Sequence, residues 1–305
     1  MIERAVMFHH FHGDEHPVGQ GSLSKEQFEE LIRYVIDNYA VLSPREFIAK
    51  TRLGTIEKQE ICLTFDDGLR CQLDIAEPIM RKYQLTAFFF VYSGVFVGGN
   101  EKLESYRDFR STQFPSMDAF YKDFFLQLAR KLPSRLQEYE RTYPDNHLID
   151  YLFYTEMDRR FRFVRDFVLT SREYDHLMET MMEEADYCLL DAARRLWLRW
   201  EDLKYLDEAG HEIGLHSHSH PTRFDQLSYK EQEEEYTRNK QLLESHLGER
   251  IISMSHPCGL YNEDTLSILE DLNIQIGFRC DQFRESANPL EISRLDHSDL
   301  VRMMG

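Results

Sequence analysis

Short apolar segments alternate with amphipathic segments through the first and last thirds of the chain. RAVMFHHF, EICLTF and TAFFFVYSG read as strands, and SLSKEQFEELIRYVIDNY repeats apolar residues at helical spacing behind a serine cap. The pattern resumes with the strand-like HEIGLH, RIISMS and IQIGFRC and with intervening helical segments. Strands that are apolar on both faces and separated by helices form covered parallel sheets. Because strand and helix recur about six to eight times, the sequence predicts a barrel-like α/β fold.

The stretch 97–200 interrupts this alternation. Its segments MDAFYKDFFLQLARKL, FRFVRDFVLT and DHLMETMMEEADYCLLDAARRLWLRW carry apolar residues at helical spacing. No Gly/Ser linker separates the stretch from its flanks. We therefore expect a single catalytic domain over residues 1–305 with a helical insertion at 97–200, which packs on the barrel as a lid or forms a homo-oligomer contact.

Charge and composition exclude several classes of protein. A formal net charge of −18 argues against a nucleic-acid partner. No apolar run approaches the roughly 18–20 residues that span a bilayer, and the N-terminus lacks the pattern of a secretory signal. The cysteines form no CxxC pair, which favours reduced thiols in a cytoplasmic protein; they are Cys62, Cys71, Cys188, Cys258 and Cys280.

Two adjacent carboxylates, Asp66 and Asp67, follow the predicted strand EICLTF and precede Gly68. Ligands gather at the carboxyl ends of strands in α/β folds. Neighbouring carboxylates are costly to bring together unless a cation or a shared proton compensates them. Asp-Asp-Gly is also ordinary turn chemistry, so this stretch alone leaves a turn and a site equally open.

Three histidines, His216, His218 and His220, follow the predicted strand HEIGL in the stretch GLHSHSHPT. A spacing of four lets two imidazoles reach one ion, whereas residues two apart point apart, which makes His218 the weakest candidate. A polar loop with ordinary hydrogen bonds is the alternative. With one carboxylate as a third ligand and the other free to accept a proton from bound water, the two stretches predict one divalent metal site.

These motifs resemble those of the polysaccharide deacetylases of carbohydrate esterase family 4. Thr64–Gly68 reproduces the TFDDG motif of that family, and HSHSHP matches its His-[Ser/Thr]-x-x-His motif followed by proline. AGHEIGLH matches the family's lead-in to the histidines. The resemblance covers residues 1–96 and 201–300 and leaves the insertion outside. It implies a distorted (β/α) barrel and metal-dependent removal of an N-acetyl group.

The resemblance also implies roles for individual residues. Asp66 is expected to be the general base, and Asp67, His216 and His220 are expected to hold the metal. His218 occupies the variable position of the motif and is not expected to be a ligand. Zinc is the expected metal, with iron, cobalt and nickel as alternatives that such a ligand set accepts.

The third motif of the family departs from its usual form, Arg-Pro-Pro-Tyr-Gly. Here it reads SHPCGLYN, so the arginine is missing and Cys258 stands at the tyrosine position. The family uses a backbone N–H of this loop to hold the oxyanion, a role that tolerates side-chain change. Arg294, in EISRLDHSDL, is the candidate to orient the base instead.

The sequence departs from the family a second time at the general acid, because the usual C-terminal Leu-x-His motif is not clear here. VMFHHF resembles the N-terminal Tyr-His segment of members with rearranged motifs, which makes His9 the predicted acid and His297 the second candidate. A structural histidine at a strand end is the alternative. A cysteine nucleophile at Cys62 or Cys258 is rejected, because no Cys-His signature supports it.

The predicted function is N-deacetylation of an amino sugar, in a surface polysaccharide or its cytoplasmic precursor. Hydrolysis of a small non-sugar amide or cyclic ureide is one alternative, and a catalytically inactive carbohydrate-binding relative is another. Aromatic residues of the insertion either stack on a sugar ring or form a core or subunit interface; they are Phe161, Phe163, Phe167, Trp197 and Trp200.

Overall fold

The computed structural model describes residues 3–99, 101–149, 154–282 and 286–304. The chain divides into two compact units. The barrel unit comprises Met1–Glu101 and Ala193–Gly305, and the helical unit comprises Lys102–Ala192.

Eight strands lie in the described part of the barrel unit. They are β1 (Ala5–Phe8), β2 (Ala40–Val41), β3 (Glu60–Phe65), β4 (Phe88–Val91), β5 (Glu212–Leu215), β6 (Ser253–Ser255), β7 (Ile276–Phe278) and β8 (Arg294–Asp296).

Helices in chain order are α1 (Lys25–Asn38), α2 (Pro44–Leu53), α3 (Glu77–Lys82), α4 (Lys102–Gln113), α5 (Met117–Lys131), α6 (Pro133–Thr142), α7 (Glu156–Phe163), α8 (Ser171–Glu184), α9 (Leu189–Leu196), α10 (Trp200–Glu208), α11 (Tyr229–Leu247), α12 (Glu263–Asp271) and α13 (His297–Met304). Two π-helical turns, Gln72–Ala76 and Val164–Val168, lie beside α3 and α7.

The strands form one parallel sheet in the order β7-β6-β5-β4-β3-β1-β8, with β2 paired to β3 outside this path. The segment before β8 also binds β7, because the Ile292 N–H donates to the Gly277 carbonyl at 2.8 Å. Since β8 itself pairs with β1, the sheet closes almost completely into a ring. The predicted barrel-like α/β fold is confirmed.

The central strands are apolar on both faces, as the sequence predicts. All residues of β4 are buried, and so are five of the six residues of β3. Phe65 of β3 stacks on Phe89 of β4, with ring centroids 4.7 Å apart and planes 8° apart. Such rings bury large apolar areas, so this stacking helps to pack the two neighbouring strands together.

Local sequence signals account for several helix ends. Ser24 and Gln27 form a capping box at the start of α1, and Ser228 and Glu231 do the same for α11. Gly248 closes α11 in the left-handed region at φ 76°. By contrast, the sequence pattern does not predict α2, β8 or α13; β8, for example, reads RLD, and two of its three residues are charged, so it shows no apolar run.

The helical unit has its own core of aromatic and methionine side chains. Phe161 is 1% exposed and lies against Phe120 and Phe124. Phe163 is buried in the same core, whereas Phe167 is 68% exposed.

Among the described residues, no helix combines the length and the hydropathy that crossing a membrane requires.

We predict that Phe89→Ala lowers the free energy of unfolding of the barrel unit by about 3–5 kcal/mol, because it removes a fully buried ring and leaves a cavity. Urea unfolding followed by tryptophan fluorescence measures this, since both tryptophans of the chain, Trp197 and Trp200, lie in the barrel unit. Leu53→Ala is the control, because Leu53 is 75% exposed. Equal losses in the two variants would contradict the prediction.

Candidate metal centre

The polar residues singled out by the sequence lie close to the ends of neighbouring strands. His9 follows β1, Asp66 and Asp67 follow β3, and His216 follows β5. Because β1, β3, β4 and β5 are parallel and adjacent, their carboxyl ends meet at one end of the barrel. The fold therefore brings together residues more than a hundred positions apart in the chain.

Asp67, His216 and His220 form a buried cluster, which we call the triad. The Asp67 Oδ1 atom lies 3.5 Å from His216 Nε2 and 3.6 Å from His220 Nε2. Each side chain offers one ligand atom, and the three atoms lie within 4.8 Å of one another. One carboxylate oxygen and two imidazole nitrogens are a donor set that suits zinc and similar divalent metals. The triad therefore fits the metal that the family resemblance implies.

The backbone around the triad adopts conformations that are uncommon for residues with side chains. Asp67, Ser217 and His220 have φ values of 77°, 64° and 54°. Residues in this left-handed region are strained by about 1–3 kcal/mol each, and such strain clusters at functional sites. Gly68 also has a positive φ, and a Cβ there would lie 2.8 Å from Val91. The glycine of TFDDG is thus required by both conformation and space.

Ser255 at the end of β6 orients His216. The His216 Nδ1 atom lies 3.0 Å from the Ser255 carbonyl oxygen and 2.8 Å from its hydroxyl. A carbonyl only accepts, so this hydrogen bond requires a proton on Nδ1, and Nε2 is the ring nitrogen that faces Asp67. His218 lies in the same loop but bonds elsewhere, with its Nδ1 atom 2.9 Å from the Ser93 hydroxyl.

Arg294 holds Asp66 in a bidentate ion pair inside the barrel. Arg294 Nη1 donates to Oδ1 and Nη2 donates to Oδ2, each at 2.7 Å. Burial would raise the pKa of Asp66, but the charge and hydrogen bonds of Arg294 help to outweigh burial, so the pKa lies below its ordinary value. Asp66 is therefore ionised at neutral pH.

The two candidate acids have different surroundings. His9 Nε2 lies 3.7 Å from Asp66 Oδ2, and the His9 side chain is 25% exposed. Burial lowers the pKa of His9, and the charges of Asp67 and Asp66 oppose this only in part. His297 is buried, donates from Nε2 to the Gly21 carbonyl at 2.9 Å and stacks on Phe8.

Cys258 lies in the tight turn Pro257–Gly259 with φ 53°. Cys258 as a whole residue is exposed, but its thiol is largely desolvated. This desolvation and the negative charge of Asp67 raise the pKa of the thiol to about 12. Burial also raises the pKa of Cys62 well above its ordinary value. Both effects disfavour the thiolate that a cysteine nucleophile needs.

Several contacts of the site are not predicted by the sequence. Ser255 donates to Asp66 Oδ1 at 3.2 Å in addition to its contact with His216. Glu101 Oε1 lies 3.9 Å from His220 Nδ1. Ser255 stands at the arginine position of the third motif, and this position in the motif could have identified it as a site residue. No pattern in the sequence points to Glu101, because it lies near the start of the stretch 97–200, which interrupts the alternation of strands and helices.

Comparison with known proteins supports this reading. A family model described as polysaccharide deacetylase matches residues 167–277, a range that starts inside the stretch expected to lie outside the resemblance. A search of curated protein sequences finds no significant match.

Solved structures share the fold. A deacetylase of Streptococcus pyogenes, PplD in complex with acetate, is 17% identical, with 100% of this chain and 99% of that chain covered and a TM-score of 0.58. IcaB from Ammonifex degensii is 13% identical, with 99% and 95% covered and a TM-score of 0.60. A de-N-acetylase from Aggregatibacter actinomycetemcomitans is 11% identical, with 97% and 94% covered and a TM-score of 0.57.

Residues 167–277 match the model of the polysaccharide deacetylases, in agreement with the family that the motifs predict. The barrel is of the type found in these solved structures, which confirms the predicted fold.

We predict that Arg294→Met lowers the free energy of unfolding of the barrel unit by about 3–5 kcal/mol, because it leaves the buried Asp66 carboxylate unpaired. Urea unfolding at neutral pH measures the loss. The double variant Asp66→Asn/Arg294→Met recovers part of it, since no buried charge remains unpaired. Arg302→Met is the matched control, because its ion pair with Asp299 is exposed. A loss no greater than that of the control would refute the prediction.

Proposed function

We propose that the protein is a metal-dependent N-deacetylase that acts on an N-acetylated amino sugar of a surface polysaccharide or its cytoplasmic precursor. One observation carries the proposal: two adjacent carboxylates have different partners. Asp66 is paired with a guanidinium, and Asp67 faces two imidazole nitrogens. Titratable groups that neighbouring residues hold in distinct environments have distinct roles in catalysis.

Asp67, His216 and His220 would hold the metal. A divalent metal bound there supplies Lewis-acid chemistry and makes a coordinated water more acidic. Zinc is the proposed metal, with iron, cobalt and nickel as the alternatives. The hydrogen bond from His216 Nδ1 to Ser255 supports this ligand role, because such contacts orient metal-binding imidazoles.

Asp66 is the proposed general base. It is ionised, and Arg294 fixes its orientation, so it can accept a proton from the attacking water. The water adds its hydroxyl to the acyl carbon, the bond from carbon to nitrogen breaks, and one proton goes to the departing nitrogen. The products are a carboxylic acid, here acetic acid, and a free amine.

The remaining roles fall to His9 and to the turn at Cys258. His9 is the proposed donor of a proton to the leaving nitrogen, supported by its Nε2 atom lying 3.7 Å from Asp66. Because burial lowers the pKa of His9, the proton that it passes on is the one that Asp66 takes from the water. The role of His297 is structural in this proposal, since its Nε2 atom is bound to Gly21. The backbone N–H of Cys258 is the proposed donor to the oxyanion, a role for which the change of side chain at this position does not matter.

The acetyl group is supported by the fold neighbours, one of which is described as a de-N-acetylase and another as a deacetylase with bound acetate. Action in the cytoplasm is part of the same proposal, supported by the five free thiols of the chain.

Acetate release tests the proposal. The metal-loaded protein is incubated with N-acetylated amino-sugar oligosaccharides, with nucleotide-linked N-acetyl sugars, and with small amides and cyclic ureides. We expect acetate from the sugars only. Turnover of the small amides or ureides alone would favour that alternative. Sugar binding without any hydrolysis would favour an inactive carbohydrate-binding relative.

We predict one divalent metal ion per chain, lost in the double variant His216→Ala/His220→Ala because two of three ligands are removed. Elemental analysis of purified protein measures it. His218→Asn is the matched control from the same loop, and it retains the metal because His218 bonds to Ser93 instead. Chelation abolishes activity, and added zinc restores it. A full complement of metal in the double variant would overturn this assignment.

We predict that Asp66→Asn lowers kcat about a hundredfold to ten-thousandfold, because a positioned general base is lost. Its metal content stays at the wild-type level, whereas Asp67→Asn loses metal. Steady-state kinetics and elemental analysis on the same preparations separate the two effects. Equal metal loss in both variants would contradict the division of roles between the carboxylates.

A further inference from the structure

Helix α11 turns one polar face toward the loop that carries the two histidines of the triad. We call His216–His220 the histidine loop. Glu235 and Asn239 lie four residues apart on α11 and therefore on the same face. Asn239 is fully buried and Glu235 is partly buried, although the run Glu233–Glu235 reads as a solvated acidic face in the sequence.

Glu235 accepts three hydrogen bonds from the histidine loop. Its Oε2 atom accepts the backbone N–H groups of His218 at 2.8 Å and Ser219 at 2.7 Å. Its Oε1 atom accepts the Ser219 hydroxyl at 2.7 Å. Hydrogen bonds to an ionised carboxylate are about twice as strong as those between neutral groups.

Asn239 ties the start of the same loop to the barrel. Its Oδ1 atom accepts the His216 N–H at 3.0 Å, and its Nδ2 atom donates to the Val91 carbonyl at 3.1 Å. The ends of β4 and β5 are thus joined through one side chain. Glu235 binds the middle of the loop, between His216 and His220. The Nε2 atoms of these two histidines must both approach Asp67 to form the triad.

The histidine loop needs such support because its backbone is strained. Ser217 and His220 both have positive φ values. The position of His220 relative to His216 depends on the conformation of the three loop residues between them. If the loop relaxes, the Nε2 atoms of the two histidines no longer converge on Asp67. A metal ion can then bind only the fraction of molecules in which the loop holds the two histidines in place. The apparent affinity for the metal falls in proportion to that fraction.

We propose that Glu235 is a positioning residue that presets the histidine loop and thereby raises the metal affinity of the triad. It has no contact with the metal or substrate in this role and acts only through the backbone of the loop. This inference rests on the proposed function, in which the triad holds a divalent metal.

The test is the affinity of metal-free protein for Zn²⁺, measured by competition with a chromophoric chelator at neutral pH. We expect Glu235→Ala to bind Zn²⁺ about 10- to 100-fold more weakly, the effect typical of losing a contact that orients ligands. Glu235→Gln is expected to retain most of the affinity, because its amide oxygen can still accept both backbone N–H groups. Glu234→Ala, the same change at an exposed neighbour on α11, is expected to bind as the wild type does.

Two results would overturn the inference. One is wild-type Zn²⁺ affinity in Glu235→Ala, and the other is an equal loss in Glu235→Ala and Glu234→Ala, which would indicate only the total charge of α11. Thermal unfolding of the metal-free variants accompanies the titration. If Glu235→Ala does not fold, Glu235→Asp replaces it, since a shorter carboxylate keeps the charge but not the reach; wild-type affinity in that variant would equally overturn the inference.

The variant His216→Ala/His220→Ala separates this inference from the proposed function. If it binds Zn²⁺ as the wild type does, the triad is not the metal site and the proposed function fails. If it loses Zn²⁺ while Glu235→Ala does not, the metal site stands and only the role of Glu235 is wrong.

Discussion

Asp66 and Asp67 are buried neighbours that both need compensation for their negative charge. Like charges this close disfavour each other, and burial raises the cost further. The barrel meets this constraint by separating their partners: Arg294 pairs with Asp66, and two imidazoles face Asp67. The positions of β3, β5 and β8 all serve this arrangement, because Asp66 and Asp67 follow β3, His216 follows β5 and Arg294 is the first residue of β8.

A second layer of polar residues supports the first. Ser255 contacts both His216 and Asp66, so the orientation of a triad histidine and that of the neighbouring carboxylate are coupled through one hydroxyl. Glu235 and Asn239 of α11 hold the backbone of the histidine loop. Strain at Ser217 and His220 persists only where surrounding contacts over-determine the backbone, and these contacts do so.

The sequence predicts the barrel well because its signals are local. β3, β4 and β5 read directly as apolar segments, and α1 and α11 read from apolar spacing and capping serines. β8 has only three residues, and nothing in its pattern distinguishes it from a loop. Glu235 could not be predicted for a different reason. In a run of acidic residues, the sequence does not show which carboxylate contacts a loop and which ones face water.

What the sequence determined by itself is the class of fold and the chemistry of two short motifs, because periodicity, strand ends and the spacing of Asp66, Asp67, His216 and His220 are contained within short segments. What only the tertiary structure decided is which polar groups meet. Arg294, which the sequence offers as a candidate partner without showing the contact, stands 228 positions from Asp66 in the chain, and Ser255 stands 189 positions from it. Such pairs meet only when the sheet curves into a barrel, since hydrogen bonds act over about 3 Å and no local pattern encodes that approach.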